Sequence, residues 1–357
     1  MPRHTRARVD LSALRHNYRI ARQLVGKGEA MAVVKADGYG HGIAAVARAL
    51  ADEAPCYAVA CLEEALSIRQ AGLRHPVIML EGVHAGEDLA VCQAQGFEPV
   101  LHDQVQIDWL TKDGSRPVIW LKLNTGMNRL GFPPARLPAL MAELKKAGVI
   151  VRGLMTHFAC ADDREDGFTE VQTRAIQAAG AEFPHLLLSV GNSAAHFRSG
   201  QPLFDWSRPG IMLYGGTPML HATGPELGLK PVMSLESELI TVRVLEAGMT
   251  VGYGATWVAD KATPMGIVAV GYGDGYPRHA GTGTPVAVNG RRVRLLGRVS
   301  MDMLAVDLSA VPHARPGDPV ELWGQTVGID EVAGAAGSIA YELLTGVTAR
   351  VPRVYTG

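Results

Sequence analysis

Lys35 stands at the end of a short apolar run, residues 31–35, and a glycine-rich segment at 36–42 follows it directly. A strand that opens into such a loop would lead a primary amine from a buried scaffold to the mouth of a site. Partial desolvation there lowers the pKa of an amine, which makes Lys35 a candidate for Schiff-base formation with an aldehyde cofactor. On this segment alone, a solvated lysine at a strand end is an equally good interpretation.

The same glycines raise the alternative of a dinucleotide-binding loop, since a helix-like stretch at 43–50 follows them. Their spacing is Gly38-x-Gly40-x-Gly42, whereas the fingerprint of that loop is G-x-G-x-x-G, so the pattern favours this alternative only weakly. Which chemistry Lys35 can perform therefore depends on the strands and helices that would position it.

These elements alternate in type along the first 215 residues. Short apolar runs, typical of buried strands, are followed by amphipathic stretches typical of helices. Eight such pairs predict an α/β fold with a (β/α)8 TIM-like barrel over residues 1–225, with a doubly wound open sheet as the alternative. The predicted strands lie at residues 31–35, 57–60, 77–80, 98–101, 118–123, 151–155, 186–190 and 204–208, and predicted helices include 43–50, 63–71, 104–110, 136–147 and 168–179.

A barrel would place its chemistry at the carboxyl ends of its strands. Several side chains that could do chemistry fall at or just after these ends, namely Lys35, His157, Asn192, Ser193 and Arg208. They form the first set of candidate site residues.

The pattern changes after about residue 224. Extended segments follow at short intervals, at 235–244, 266–270, 285–288, 291–296 and 303–308, and helical periodicity is weak outside 329–336 and 341–344. The dipeptide Asn289-Gly290 between two alternating segments predicts a two-residue type I′ hairpin. We expect a mainly β domain over residues 226–357. The leading residues of the chain, up to Val9-Asp10-Leu11, could pack with this domain.

Composition limits the partners and the compartment. The chain of 357 residues is 47% hydrophobic and carries a net charge of −1, so neither nucleic acid nor an acidic membrane surface is expected as a partner. The basic start has no apolar segment after it and no apolar run reaches membrane-spanning length, so neither a signal peptide nor a membrane span is predicted. The four cysteines form no C-x-x-C pair, so we expect a cytoplasmic protein and predict no metal site.

Several further segments are too specific in composition and order to be scaffold alone. Together they closely resemble the alanine racemase family of pyridoxal phosphate (PLP) enzymes, over nearly the whole chain. The segments are Val33-Val-Lys-Ala-Asp-Gly-Tyr-Gly-His-Gly42, Lys122-Leu-Asn-Thr-Gly-Met-Asn-Arg-Leu-Gly131, Thr156-His-Phe158, Gly191-Asn-Ser-Ala194, Arg208-Pro-Gly-Ile211, Gly252-Tyr-Gly-Ala-Thr256, Gly271-Tyr-Gly-Asp-Gly-Tyr-Pro-Arg278, Ser300-Met-Asp302 and Tyr341-Glu-Leu.

The resemblance implies a PLP-binding barrel followed by a β domain, assembled as a head-to-tail homodimer with shared active sites. It also implies interconversion of L-alanine and D-alanine by two-base proton transfer at the Cα of an external aldimine. The product would be D-alanine for peptidoglycan or L-alanine for catabolism, and the sequence leaves both directions open.

The resemblance assigns other residues to the cofactor. Lys35 would form the Schiff base, and Arg208 would face the pyridine nitrogen. An arginine only donates, so that nitrogen would stay an unprotonated acceptor and the ring a weaker electron sink, which should suppress transamination. The phosphate and the rest of the cofactor would be held by Tyr39, His157, Asn192, Ser193, Gly210, Ile211 and Tyr341.

Racemisation requires proton transfer on both faces of Cα, so two bases are expected. The resemblance implies that Lys35 serves one face and that Tyr253 of the partner subunit serves the other. An unperturbed tyrosine, with a pKa of about 10, is a poor base at neutral pH. A link through His157 and Arg208 would have to assist it by positive charge or hydrogen bonding.

The substrate carboxylate needs a cation and amides. Arg129 matches the family's substrate-binding arginine, and the backbone of Met301, again from the partner subunit, matches the second contact. Lys122 matches a lysine that can be carbamylated in relatives. Asn124 stands where the family often has aspartate, so the surroundings of Lys122 depart from the pattern.

Tyr272, Tyr276 and Asp302 resemble the narrow entrance of these enzymes. A constriction there rejects bulky side chains sterically and favours a methyl group. A racemase of broader specificity is the alternative that the entrance geometry would decide.

Two other functions stay open. A barrel-type PLP decarboxylase of basic amino acids would be expected to carry an acidic group at the pyridine nitrogen and a cysteine on the partner loop, and Arg208 and Met301 argue against it. A PLP-carrying homeostasis protein with the same barrel has a single domain, so the β half with Tyr253 argues against that function.

Overall fold

The computed structural model describes residues 4–357, and the first three residues of the basic start lie outside the described residues. The described chain opens with strand β1 (Arg6–Asp10) and helix α1 (Leu11–Val25). A barrel of short parallel strands follows, and then a second, mainly antiparallel sheet.

Helix α1 begins where the Asp10 carboxylate accepts the backbone amides of Ser12 and Ala13, at 2.9 and 3.0 Å. These bonds satisfy two donors that the first turn of a helix leaves unpaired. On the buried face of the helix, the Tyr18 hydroxyl donates to the carbonyl of Ala30 at 2.8 Å. The helix is thereby fixed to the start of the barrel.

The barrel strands are β2 (Glu29–Ala30), β3 (Ala32–Val33), β4 (Tyr57–Val59), β5 (Val77–Met79), β6 (Phe97–Leu101), β7 (Ile119–Lys122), β8 (Val151–Met155), β9 (Leu187–Ser189) and β10 (Trp206–Ser207). Strands β2 and β3 are two pieces of one strand, separated only by Met31. This strand pairs with β10 on one side and with β4 on the other, so the sheet closes on itself with eight strands. The predicted barrel is confirmed, and an open sheet is excluded by the closure.

Helices connect the barrel strands. They are α2 (Lys35–Tyr39), α3 (Ile43–Ala49), α4 (Leu62–Gln70), α5 (Asp88–Gln95), α6 (Gln104–Asp113), α7 (Leu137–Lys146) and α8 (Phe168–Ala181). After β9 and β10 the chain forms only short 3-10 segments, Ala194–Phe197 and Ile211–Tyr214. Pro209 and Gly210 disfavour a regular helix after β10, and loops at these two positions of a barrel often bind phosphate.

Large aromatic side chains fill the barrel and its surroundings. Tyr57, Phe97 and Trp120, on β4, β6 and β7, are almost completely buried. Burial of each such side chain stabilises the fold by roughly 2–3 kcal/mol. The Trp120 indole donates to the Glu98 carboxylate at 2.9 Å, and Arg152 pairs with the same carboxylate at 2.7 Å, so this buried charge has partners.

The second sheet has eight strands. Besides β1 they are β11 (Met233–Leu245), β14 (Thr263–Val268), β15 (Pro285–Val288), β16 (Arg291–Leu296), β17 (Leu304–Asp307), β18 (Pro319–Trp323) and β19 (Arg353–Thr356). Their order across the sheet is β14-β17-β16-β15-β18-β11-β1-β19. Strand β12 (Thr250–Val251) pairs separately with β13 (Trp257–Val258). Two helices, α9 (Ile329–Ala335) and α10 (Ala340–Gly346), precede the last strand. Strand β1 lies in this sheet, antiparallel to β11 and parallel to β19.

The predicted hairpin joins β15 to β16. Val288 pairs with Arg291, so Asn289 and Gly290 form the two-residue turn. Their φ angles are 50° and 73°, and a type I′ turn requires positive φ at both positions. This prediction is confirmed. Within residues 4–357, no helix has the length and apolarity needed to span a bilayer.

Candidate active site

The carboxyl ends of the barrel strands surround a cavity of about 720 Å³, a volume typical of sites for small molecules. Its lining includes most of the residues that the sequence predicted for the cofactor and substrate. They are Lys35, Tyr39, Lys122, Arg129, His157, Asn192, Ser193, Arg208, Gly210, Ile211 and Tyr341.

The backbone that follows Lys35 is left-handed. Ala36, Asp37 and Tyr39 have φ angles of 51°, 53° and 52°. For residues other than glycine this conformation costs roughly 1–2 kcal/mol each, so surrounding contacts must hold the segment.

One such contact is the carboxylate of Glu64, on α4. It accepts the amide of Ala36 at 2.7 Å and the amide of Ala60 at 2.8 Å, which ties the loop after β3 to the loop after β4. The carboxylate of Asp37 accepts the amide of Ile43 at 2.8 Å and closes the turn. The sequence analysis missed Glu64, because a glutamate in the first turn of a helix is usually a solvated surface residue.

Neighbouring tyrosine rings position the Tyr39 side chain. The ring centroid of Tyr39 lies 4.6 Å from that of Tyr214 and 6.1 Å from that of Tyr341. Tyr214 is itself fixed by donation to the carbonyl of Val33 at 3.0 Å. Burial raises the pKa of Tyr39 and of Tyr341, so both remain protonated hydroxyl donors at neutral pH.

Ser193 and Gly210 form the other side of a small polar cradle. The Ser193 hydroxyl oxygen accepts the amide of Gly210 at 2.8 Å, which leaves its own proton available for a ligand. A Cβ atom at Gly210 would lie 2.4 Å from the Tyr39 hydroxyl, so only glycine allows this approach. Hydroxyls and backbone amides that converge in this way suit a phosphate group.

Arg208, directly after β10, is buried. Its guanidinium donates to the hydroxyl of Ser189 at 2.7 Å, to the carbonyl of Thr156, and to Nδ1 of His157 at 3.3 Å. Burial lowers the pKa of Arg208 to about 9, so it still carries its charge at neutral pH. Among the residues that the structure describes, no carboxylate pairs with it.

His157 is the neutral partner of this arginine. Burial holds the pKa of His157 well below its usual value, and the nearby charge of Arg208 acts in the same direction. Because Nδ1 accepts from Arg208, the single ring proton is assigned to Nε2. His157 can therefore accept from Arg208 on one side and donate on the other.

The cavity has an excess of positive charge. Burial and the charges of Arg208, Arg129 and Lys35 hold the pKa of Lys122 well below its usual value. Two glutamates also line the cavity, but the side chain of Glu81 is 46% exposed and Glu342 is exposed at the mouth. Such a site favours an anionic ligand.

Asn124 shapes the turn that carries Arg129. Its side-chain oxygen accepts the amides of Gly126 and Asn128 at 3.1 and 3.0 Å, and its amide group donates to the Asn128 side chain at 2.9 Å. Asn128 has a φ of 57°, a conformation that asparagine tolerates well. The residue that departs from the family pattern thus has a structural role in this chain.

Four of the predicted residues do not line the cavity of their own chain: Tyr253 and Met301, expected from a partner subunit, and Tyr272 and Asp302, expected at the entrance. Tyr253, Met301 and Tyr272 lie in the second half of the molecule, with exposed fractions of 68%, 53% and 37%. Asp302 is also exposed and pairs with Arg350. These four residues are therefore accessible to another molecule.

The placement of Tyr276 at the entrance was wrong. Its side chain is 1% exposed, and its ring stacks on Trp323 with the centroids 5.9 Å apart. A ring enclosed in the core of the second sheet cannot line an entrance. The Gly-Tyr-Gly-Asp-Gly-Tyr pattern does not indicate which of its two tyrosines is buried, because burial depends on strands distant in sequence.

A parallel barrel that gathers a lysine, a phosphate-sized cradle and buried cations at its strand ends is the framework of a cofactor-dependent barrel enzyme. Residues 9–218 match the family model for the alanine racemase N-terminal domain, and residues 232–355 match that for the alanine racemase C-terminal domain. The chain belongs to the alanine racemase family of PLP-dependent isomerases.

Individual relatives agree over the full length. An alanine racemase of Marinobacter nauticus is 64% identical over 99% of this chain and all of its own. The crystal structure of biosynthetic alanine racemase from Pseudomonas aeruginosa has a TM-score of 0.96 and 48% identity, with both chains fully covered. Alanine racemase from Bartonella henselae, solved with covalently bound pyridoxal phosphate, has a TM-score of 0.90 and 30% identity over 99% of this chain and all of its own.

The described residues fit PLP. Lys35 supplies the amine that a covalent link requires. The cradle around Gly210 can accept no side chain at its centre, and its protonated hydroxyls are donors of the kind that an ester phosphate requires. The excess of cations matches the negative charge of the cofactor and of a substrate carboxylate.

Proposed function

We propose that this protein interconverts L-alanine and D-alanine by moving protons at Cα with two bases. The observation that carries the proposal is the convergence of Lys35, Arg129 and Arg208 in one cavity with the Ser193–Gly210 cradle. The names of the full-length relatives support alanine as the substrate.

PLP, when bound, supplies an electron-withdrawing ring that makes the Cα proton of an attached amino acid acidic. Lys35 would hold the cofactor covalently, and Arg208 would face its ring nitrogen as a fixed donor. Since Arg208 keeps its proton at neutral pH, it cannot act as the acid that protonates this nitrogen. The phosphate would be held by Tyr39, Asn192, Ser193, Tyr341 and the amides of Gly210 and Ile211, with His157 beside the ring.

Each base would serve one face of Cα. Lys35 lies on the barrel side, and we propose that Tyr253 of the partner subunit lies on the other. An exposed Tyr253 in a glycine-rich turn is suited to entering a neighbouring site, because Gly252 and Gly254 adopt positive φ angles there. A homodimer with shared sites follows from this proposal.

We further propose that Arg129 binds the substrate carboxylate together with the Met301 amide of the partner subunit. Tyr272 and Asp302 would narrow the entrance, so that methyl-sized side chains are favoured. Burial lowers the pKa of Lys122, which favours the unprotonated amine that carbamylation requires. The resulting anion would orient Arg129.

The setting is proposed as the cytoplasm, with the chain divided near residue 225 into barrel and β domain. A 49% identical relative from Pseudomonas aeruginosa carries the name of a biosynthetic alanine racemase, which favours D-alanine for peptidoglycan over L-alanine catabolism.

A panel of amino acids with chiral analysis, run in D2O, tests the reaction and its specificity together. We expect both enantiomers of alanine to appear from either one, with deuterium at Cα, and little turnover of bulkier side chains. The absorption band of the lysine-linked cofactor should be lost in Lys35→Ala. Release of an amine and CO2 from a basic amino acid would instead show a decarboxylase and refute the proposal.

A further inference from the structure

The last strand of the chain holds the loop that carries Lys35. We infer that Arg353 and Tyr355, on β19, are positioning residues that keep the 36–42 loop in the shape that presents Lys35 to the cavity. The inference rests on the proposed function, because it concerns the side chain proposed both to bind the cofactor and to act as a base.

Two hydrogen bonds connect the loop to β19. Arg353 Nε donates to the carbonyl of Gly40 at 3.0 Å, and the Tyr355 hydroxyl donates to the carbonyl of His41 at 3.0 Å. The other guanidinium nitrogens of Arg353 donate to backbone carbonyls between α10 and β19, those of Val347, Thr348 and Val351, at 2.6–2.7 Å. One planar group therefore joins the lysine loop to the carboxyl-terminal segment.

The two segments approach so closely that glycine is needed on the loop side. A Cβ atom at Gly40 would lie 2.2 Å from the carbonyl oxygen of Leu344, and one at Gly42 would lie 2.1 Å from the Tyr355 hydroxyl. The loop thus packs directly on α10 and β19. A substitution on β19 therefore acts directly on the loop, since no other layer of residues lies between them.

The loop needs such support because its backbone is left-handed at several successive residues. A strained segment persists only where its surroundings over-determine it. Glu64 fixes the first amide after Lys35 from the barrel side. Arg353 and Tyr355 fix two carbonyls at the far end of the loop, so the strained stretch is held at both ends.

The pairing of β19 provides a matched control. Strand β19 is parallel to β1, with Ala7 opposite Arg353 and Val9 opposite Tyr355. Val354 lies between them, and neighbouring side chains of a strand point to opposite faces, so its side chain is directed away from the loop. Val354→Thr therefore changes the same strand without changing the contact with the loop.

The test compares Tyr355→Phe and Arg353→Lys with Val354→Thr in the holoenzyme, by hydrogen exchange and by kinetics. Amides of the loop are bonded within it, for example Gly40 to the carbonyl of Ala36 at 2.8 Å, so loosening should raise their exchange. We expect faster exchange in residues 36–42 in both variants, and in Arg353→Lys also in residues 347–351, whose carbonyls Arg353 holds. We also expect kcat to fall about two- to tenfold, the range for one hydrogen bond, with KM for alanine unchanged.

Exchange in the 36–42 loop equal to that of Val354→Thr would overturn the inference. Faster exchange spread over the barrel strands, or a kcat equal to that of the parent, would do so as well. If one variant does not fold, the other decides. A parent enzyme that does not racemise alanine would refute the proposed function, whereas the exchange result would still decide whether β19 holds the loop.

Discussion

At the scale of single residues, burial changes the protonation of the basic side chains that line the cavity. Arg208 and Lys122 are both buried, but burial leaves the arginine charged and favours a neutral lysine. The two cations of the sequence therefore have different chemistry in the folded chain. Arg208 can act only as a donor, and Lys122 can act as a nucleophile toward CO2.

This difference predicts a modified lysine. With 13C-labelled bicarbonate, the protein should show a carbamate carbon resonance that is lost in Lys122→Gln. The variant should also lose about ten- to a hundredfold in kcat/KM, the effect of removing a hydrogen bond to a charged group. Lys112→Gln, at an exposed lysine of α6, should keep both the resonance and the activity. A resonance that persists in Lys122→Gln would assign the modification elsewhere.

At the scale of elements, the short helix α2 is the part of the fold under most constraint. It carries Lys35 at its first position, contains left-handed residues, and packs on α10 through Gly40. Strand β3 fixes one end of α2 and the carboxyl-terminal segment fixes the other.

We expect Gly40→Ala to show how much stability comes from the close packing at this position, beyond the cost of placing alanine at a positive φ. Gly40 has a φ of 79°, and its added methyl would meet the Leu344 carbonyl. Gly72 has a φ of 87° with nothing within 4 Å, so Gly72→Ala carries only the backbone cost of about 1 kcal/mol. Urea unfolding should show a larger loss for Gly40→Ala, together with weaker retention of PLP. Equal losses in the two variants would contradict the packing role.

At the scale of the whole molecule, the residues of the proposed site lie on two separate surfaces of one chain. One chain supplies a cationic cavity, and its own Tyr253 and Met301 are exposed elsewhere. Other large apolar side chains of the second half are also exposed, among them Met249, Val258 and Met303. Self-association would complete the cavity and cover apolar surface together.

Subunit mixing tests this arrangement. Lys35→Ala and Tyr253→Phe should each be nearly inactive alone. In a mixed dimer one site combines the two intact residues, so equal refolded mixtures should recover about a quarter of the parent activity. A mixture of Lys35→Ala with Lys35→Met serves as the control and should recover none. Absence of recovery in the first mixture, with dimers present, would place Lys35 and Tyr253 in the same chain's site.

Much of this protein could be predicted from the residues alone, because local patterns carried the information. Alternating apolar runs indicated the barrel, and Asn289-Gly290 indicated the hairpin of the second sheet through the φ angles that such residues adopt readily. The lysine at a strand end and the glycines after it indicated a site. The cofactor residues gathered because parallel strands bring their carboxyl ends to one edge.

Only the tertiary structure decided which residues are buried and which partners they have. It enclosed Tyr276 against Trp323 and left Tyr272 exposed, although both belong to one short motif. It brought Glu64, Arg353 and Tyr355 to the lysine loop from distant parts of the chain. Burial and long-range hydrogen bonding depend on the closure of both sheets. Closure joins strands that are far apart in the sequence, so no local pattern of residues predicts it.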